Sequence, residues 1–120
     1  DLDHLLAEAR ETGMVVDLAD GLGAVPPDQV GRTLYRIVQE GLTNARKHAP
    51  GERVGVTVRR TDDAVETVVL NRCSPRSLGV PGTSNGLIGL SERAALAGGT
   101  LEHRVHGDGT FELRAVLPWR

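Results

Sequence analysis

Aromatic residues are nearly absent from this 120-residue chain, which has one phenylalanine, one tyrosine and one tryptophan. A folded core must therefore be built from leucine, valine, isoleucine and alanine. The chain also lacks any run of about 18 apolar residues, so the sequence predicts no membrane-spanning helix. The single cysteine, Cys73, excludes an internal disulfide and is compatible with a reducing compartment.

The chain also has no large excess of either positive or negative charge, because its formal net charge is only -2. Such a balance offers no broad basic surface, and we expect neither nucleic acid nor a membrane as a partner of this chain. Its length is that of one domain, and its apolar and charged contents are those of ordinary globular proteins. Lysine occurs once, as Lys47, among 14 basic residues.

Hydrophobic periodicity predicts helices and strands in alternation. A long helix is expected from Asp28 to His48, after two prolines and before Pro50 and Gly51. Residues 1–12 have a helical spacing and look like the tail of a preceding helical segment. Strands paired as hairpins with helices on one face make a two-layer α/β sandwich. The remaining predicted elements are strands at 14–18, 54–58, 65–70, 100–105 and 110–117 and a second helix at 89–97.

A long segment between the third strand and the second helix has no periodicity. Residues 72–86 contain several proline, glycine, serine and threonine residues. Loops of this length are uncommon inside compact domains and often cover functional sites. We therefore interpret residues 72–86 as a lid.

The long helix has a polar ridge at one border of its apolar stripe. With Val30 at 0° and about 100° per residue, Glu40, Asn44 and Lys47 lie at about 280°, 320° and 260°. A carboxylate, an amide oxygen and an ammonium together suit a magnesium triphosphate, because Mg²⁺ prefers hard oxygen ligands and the ammonium attracts phosphate. A solvated helix face with a ladder of polar side chains is the other interpretation of this spacing.

A glycine lies in the middle of the same helix. Glycine there costs about 1 kcal/mol relative to alanine. We therefore expect another element to approach the helix backbone closely at Gly41.

The segment that contains this ridge resembles the N-box of the GHKL ATPases: residues 35–49 read YRIVQEGLTNARKHA. The likeness is greatest to the sensor histidine kinases that pair with LuxR-type response regulators. Residues 86–93, GLIGLSER, are similar to the second glycine box of that family, and the GGT at 98–100 and the GTF at 109–111 also fit. The resemblance extends over about residues 2–118.

The resemblance implies a Bergerat ATP-binding fold, which is an α+β sandwich with a mixed, mostly antiparallel sheet covered on one face by helices. ATP would lie between the long helix, the lid at 72–86 and the second helix. Asn44 would bind Mg²⁺, Glu40 would be the catalytic acidic residue and Lys47 would reach the phosphates. Catalysis would consist mainly of positioning and charge stabilisation for phosphoryl transfer.

Residues outside the long helix are also assigned by the resemblance. Gly86, Leu87 and Gly89 would bring backbone N–H groups to the triphosphate, and Thr110 would lie near the adenine. Asn71 stands where the family has an aspartate that accepts a hydrogen bond from the adenine amino group, and the glycines that follow this aspartate are missing. The amide oxygen can still accept, in a neutral bond that is weaker by about 1 kcal/mol.

The function implied is that of the ATP-binding catalytic domain of a bacterial sensor histidine kinase, with residues 1–120 as one domain. It would donate the γ-phosphate of ATP to a histidine on a separate dimerisation domain, in a homodimer that then phosphorylates a LuxR-type response regulator. His4 is not expected to be the acceptor, which belongs to a helical hairpin upstream. The domain would be cytoplasmic, and the sequence leaves open whether the intact protein is anchored in the cell membrane.

Two alternatives stay open. The altered first glycine box would also suit a degenerate module that binds nucleotide poorly and acts by docking. The same fold serves regulatory proteins such as anti-sigma factors with protein serine kinase activity.

Overall fold

Within residues 2–72 and 85–119, which the computed structural model describes, three helices and five strands follow the predicted order. No helix in this described part is both long and apolar enough to cross a bilayer. The helices are α1 (Leu2–Glu11), α2 (Asp28–His48) and α3 (Asn85–Leu96), and the strands are β1 (Val16–Gly21), β2 (Val54–Arg60), β3 (Ala64–Arg72), β4 (Thr100–Val105) and β5 (Thr110–Pro118).

The strands form a single sheet in the order β1-β2-β3-β5-β4. Strands β1 and β2 are parallel and are joined through α2, whereas the other neighbouring pairs are antiparallel. The mixed, mostly antiparallel sheet expected from the sequence is therefore confirmed. One cross-strand row is important for the site: Asn71 on β3 pairs with Val54 on β2 and with Phe111 on β5.

The sheet has one buried face, because every second residue of β3 and β5 is enclosed. On β3 the buried row begins with Val65 and ends with Asn71. Helices pack against this face, and their buried leucines and alanines complete a core that is aliphatic apart from Phe111 among the residues described. The two-layer sandwich is thus confirmed as well.

Helix α2 approaches the sheet closely at its middle glycine. A Cβ atom added to Gly41 would lie 2.9 Å from both methyl carbons of Val69. The close approach expected at this glycine is therefore confirmed, with β3 as the neighbour. Asn44 lies three residues further along α2, and Asn71 lies two residues further along β3 on the same buried face.

The segment predicted as a tail forms α1 and contributes to the core. Leu5 and Leu6 are buried, with Leu6 fully enclosed. The Arg10 guanidinium donates two hydrogen bonds to the Val16 carbonyl oxygen, at 3.1 Å from Nε and 2.7 Å from Nη2. These contacts attach α1 to the first residue of β1.

Several element boundaries differ from the sequence-based prediction by one to four residues, and the largest shifts are at the end of β1 and the start of α3. Strand β1 begins at Val16 rather than at residue 14 and continues to Gly21, because its parallel pairing with β2 continues to that residue. Helix α3 begins at Asn85, four residues before the predicted start at Gly89. The predicted lid therefore overlaps β3 at Arg72 and α3 at residues 85–86, and its remaining residues, 73–84, lie outside the described residues.

Candidate functional site

The polar ridge of α2 passes from buried to exposed. Asn44 has only 1% of its surface exposed, Glu40 is half-buried and Lys47 is exposed. This order follows the helical wheel, on which Asn44 lies nearest to the apolar stripe and Lys47 lies farthest from it. A fully solvated ladder is therefore excluded for Asn44, whereas Lys47 does face solvent.

The Asn44 amide is enclosed, and the described part of the chain offers it no hydrogen bond. Neither Oδ1 nor Nδ2 has a partner within the described residues. A buried polar group left unpaired costs about 1–3 kcal/mol, so native proteins have few of them and each calls for an explanation. An enclosed amide with both ends free is suited to a ligand, and its oxygen is of the hard kind that Mg²⁺ prefers.

Protein carboxylates and imidazoles do not assemble into a metal centre here. Within residues 2–72 and 85–119, no group of three or more His, Cys, Asp or Glu side chains could hold a metal ion. Mg²⁺ keeps several waters and is commonly bound through one or two protein ligands together with substrate phosphates. Asn44 fits the part of such a ligand.

A second unpaired amide lies at the end of β3. Asn71 is 4% exposed, and its Oδ1 has no partner among the described residues. Its Nδ2 donates to the Arg72 carbonyl oxygen over 3.5 Å, the outer limit of hydrogen bonding. The unpaired oxygen is a buried hydrogen-bond acceptor on the face of the sheet that the helices cover.

Thr110 lies one step along the sheet from Asn71. It is half-buried at the start of β5 and pairs with Arg72, while Asn71 pairs with Phe111. The Thr110 N–H group donates to the Asp108 carboxylate at 2.9 Å, and this bond holds the pKa of Asp108 below its ordinary value. The structure therefore brings two of the predicted base-binding residues, Asn71 and Thr110, to the same end of the sheet.

Phe111, which belongs to the GTF motif at 109–111, also forms part of this region. Its ring is 1% exposed, and it pairs across the sheet with Asn71. The signal in the sequence is its rarity, since it is the only phenylalanine of the chain. A large apolar side chain beside a buried amide provides a wall against which a flat ring can pack.

The predicted second glycine box lies in the first turns of α3. Leu87 is buried and belongs to the core, whereas Gly89 is half-buried. A Cβ atom added to Gly89 would meet no described atom within 4 Å, so packing does not require glycine there. Because α3 begins at Asn85, the backbone of Gly86 belongs to its first turn, where N–H groups lack helical partners and favour anions.

A separate groove of ≈ 910 Å³ lies between α1, the β1–α2 connection and the first half of α2. Its lining includes Leu22, Val25 and Tyr35, with Asp28 and Arg36 among the charged residues. None of the predicted site residues lines it, so it is distinct from the region around Asn44 and Asn71.

No protein-family model matches the chain. An uncharacterised sensor-like histidine kinase of Chloroflexus aurantiacus is 32% identical over 108 residues, which cover 84% of this chain and 18% of that protein. The signal transduction histidine-protein kinase/phosphatase DegS of Brevibacillus brevis is 34% identical over 108 residues, with 84% and 27% covered. The chain thus spans 18% and 27% of the lengths of these two relatives.

Solved structures of histidine kinases share the fold. The catalytic domain of histidine kinase ThkA has a TM-score of 0.66 at 12% identity, with 94% of that chain and 99% of this one covered. The mycobacterial sensor histidine kinase MprB gives 0.70 at 21% identity, with 93% of that chain and 98% of this one covered. A blue-light activated histidine kinase of Erythrobacter litoralis gives 0.75 at 17% identity, over 44% of its length and 98% of this chain.

Proposed function

The chain belongs to the sensor histidine kinases, as their ATP-binding catalytic domain, and from this premise we propose that it binds Mg²⁺-ATP and donates the γ-phosphate to a histidine of a separate dimerisation domain. The observation that carries the proposal is the pair of buried amides with unpaired oxygens, Asn44 on α2 and Asn71 on β3. Among the described residues, these two amides are the buried side chains that have polar atoms without a hydrogen-bond partner, and a ligand could supply the missing partners.

The phosphate end of the site would lie along the ridge of α2. Asn44 would hold Mg²⁺ through Oδ1, and the bound ion would neutralise charge on the triphosphate. Glu40, one turn earlier and half-buried, would act on the transferring phosphoryl group or on a water beside it. Lys47 is exposed, and its long flexible stem would let the ammonium reach the phosphates from the surface.

The base end would lie at the ends of β3 and β5. Asn71 would accept a hydrogen bond from the adenine amino group through Oδ1, with Thr110 beside it. The N-terminal turn of α3, with Gly86, Leu87 and Gly89, would direct backbone N–H groups towards the triphosphate. Residues 72–86 would form the ATP lid.

We propose that the intact protein is a homodimer and that its kinase domain acts in the cytoplasm. This proposal holds with or without a membrane anchor. This chain would be one domain of it, residues 1–120, with a dimerisation domain carrying the phosphoacceptor histidine as its first partner. A LuxR-type response regulator would be the second. His4 is exposed on α1 and pairs with Glu8 at 2.8 Å, as a surface residue does. The acceptor is assigned instead to the dimerisation domain.

Calorimetric titration of the domain with ATP and Mg²⁺ tests the proposal. We expect saturable binding that Asn44→Ala weakens by about tenfold or more. Gln39→Ala is the matched control, because Gln39 is an exposed amide of the same helix, and this variant should bind like the parent. Equal binding by Asn44→Ala and the parent would remove Asn44 from the metal site. A parent that binds no nucleotide would instead favour the degenerate docking module.

A further inference from the structure

The Asn71 amide is oriented by one weak contact. Its Nδ2 lies 3.5 Å from the Arg72 carbonyl oxygen, and its Oδ1 has no partner in the described part of the chain. The two ends of an amide have nearly the same shape. Turning this amide over therefore exchanges a single long N–H···O hydrogen bond for an O···O contact, while the shape of the side chain stays nearly the same.

The apolar side chains beside Asn71 on the buried face of the sheet do not prefer either orientation of its amide. Its partners across the sheet are Val54 and Phe111, and both are buried apolar side chains. The next residue along its buried row, Val69, is apolar too. Among these neighbours no side chain offers a donor or an acceptor that would fix which end of the amide faces a ligand.

An amide differs from a carboxylate in what it can recognise. A carboxylate only accepts hydrogen bonds, whereas an amide accepts through its oxygen and donates through its nitrogen. Adenine presents an amino group at position 6, and hypoxanthine and guanine present a carbonyl oxygen there. A carboxylate repels that carbonyl oxygen, and an amide turned over donates to it.

Resting on the proposed function, we propose that Asn71 makes this nucleotide site accept 6-oxopurine triphosphates as well as ATP. The oxygen of Asn71 faces the 6-amino group of adenine, and its nitrogen faces the 6-oxo group of the alternative base. The weak bond to Arg72 gives ATP a modest advantage, because it holds the acceptor end towards the ligand. The site thus selects a purine triphosphate with low discrimination at position 6.

Inosine triphosphate is the sharpest probe, since its base differs from adenine only at positions 1 and 6 and lacks the 2-amino group of guanine. Calorimetric titrations with Mg²⁺ should give dissociation constants for ATP and ITP within about tenfold of each other for the parent. Asn71→Asp should tighten ATP and weaken ITP, so that the ratio of the two constants rises by about tenfold or more. Leu70→Asp is the matched control on the exposed face of β3, and it should leave the ratio unchanged.

The outcomes separate this inference from the proposed function. A parent that binds ATP but rejects ITP by about a hundredfold or more would overturn the inference and leave the proposed function intact. An unchanged ratio in a folded Asn71→Asp variant would overturn it too. A parent that binds neither nucleotide would overturn both. If Asn71→Asp does not fold, the ratio measured for the parent still decides the question.

Discussion

Gly41 and Val69 set the separation of the two layers at the centre of the molecule, because a Cβ atom on Gly41 would lie 2.9 Å from both Val69 methyl carbons. Valine is stiff about χ1, and Val69 is 1% exposed, so its side chain has little room to yield. Each of the two elements also carries an unpaired amide near this contact. Asn44 lies three residues after Gly41 on α2, and Asn71 lies two residues after Val69 on β3.

Gly41→Ala should destabilise the domain even though alanine is the better helix former. Overpacking typically costs about 1–3 kcal/mol and outweighs the gain of about 1 kcal/mol in helix propensity. Urea unfolding of Gly41→Ala, Val69→Ala and the double variant measures the effect. The double variant should be more stable than the sum of the two single changes predicts, because Val69→Ala removes the clashing methyl groups. Simple additivity would show that Gly41 is not in steric contact with Val69.

Gly89→Ala should have the opposite effect on stability. No described atom lies within 4 Å of a Cβ there, so alanine should stabilise α3 by about 0.5–1 kcal/mol. The same variant should bind Mg²⁺-ATP more weakly if the phosphates approach the backbone at this residue. Unfolding and nucleotide titration of the one variant separate the two effects. Unchanged affinity would mean that Gly89 does not contact the nucleotide.

Asn44→Leu should separate stability from binding at the metal end. Replacing a buried, unpaired amide by an apolar group of similar size removes a desolvation cost, so the nucleotide-free domain should gain about 1 kcal/mol. A ligand that binds only the folded state raises the unfolding temperature. Mg²⁺-ATP should therefore raise it for the parent but not for Asn44→Leu. A loss of stability without ligand would show that the amide has a structural partner.

Asp108 should make the stability of the domain depend on acid pH. The Thr110 backbone N–H lowers the pKa of Asp108 from its ordinary 3.8, so the folded state favours the carboxylate. Because the folded pKa is below the unfolded one, the contribution is present above about pH 4 and is lost as the pH falls through the folded pKa. Asp108→Asn keeps an acceptor for Thr110 but does not titrate. Its urea midpoint should fall less than that of the parent between pH 5 and pH 2, and identical profiles would refute the assignment.

Helix α2 shows what local sequence signals can establish. Its predicted and observed bounds agree, Asp28 to His48, because prolines precede it and Pro50 and Gly51 follow it. The angles on the helical wheel also agree with the order of burial along its ridge. They could not give the depth, since the angle of a side chain about one helix does not reveal which other elements cover it. The full enclosure of Asn44 depends on packing against the rest of the fold.

Helix α3 and strand β1 show where local signals fail. Two glycines near the start of α3 favour a loop by propensity, yet Leu87, Leu90 and Ala94 are buried at helical spacing, and α3 contacts α2. Tertiary packing therefore outweighs propensity in the first turn. Strand β1 ends where its pairing with β2 ends. The sequence pattern within β1 alone does not reveal that position.

The two bonds from Arg10 to the Val16 carbonyl oxygen affect how force passes through the molecule. Leu5 and Leu6 are also buried in the core, so α1 is held both by packing and by these hydrogen bonds. A twist or pull applied to α1 therefore reaches β1 directly, at the edge of the sheet. We therefore expect α1 to move together with the sheet as one rigid unit.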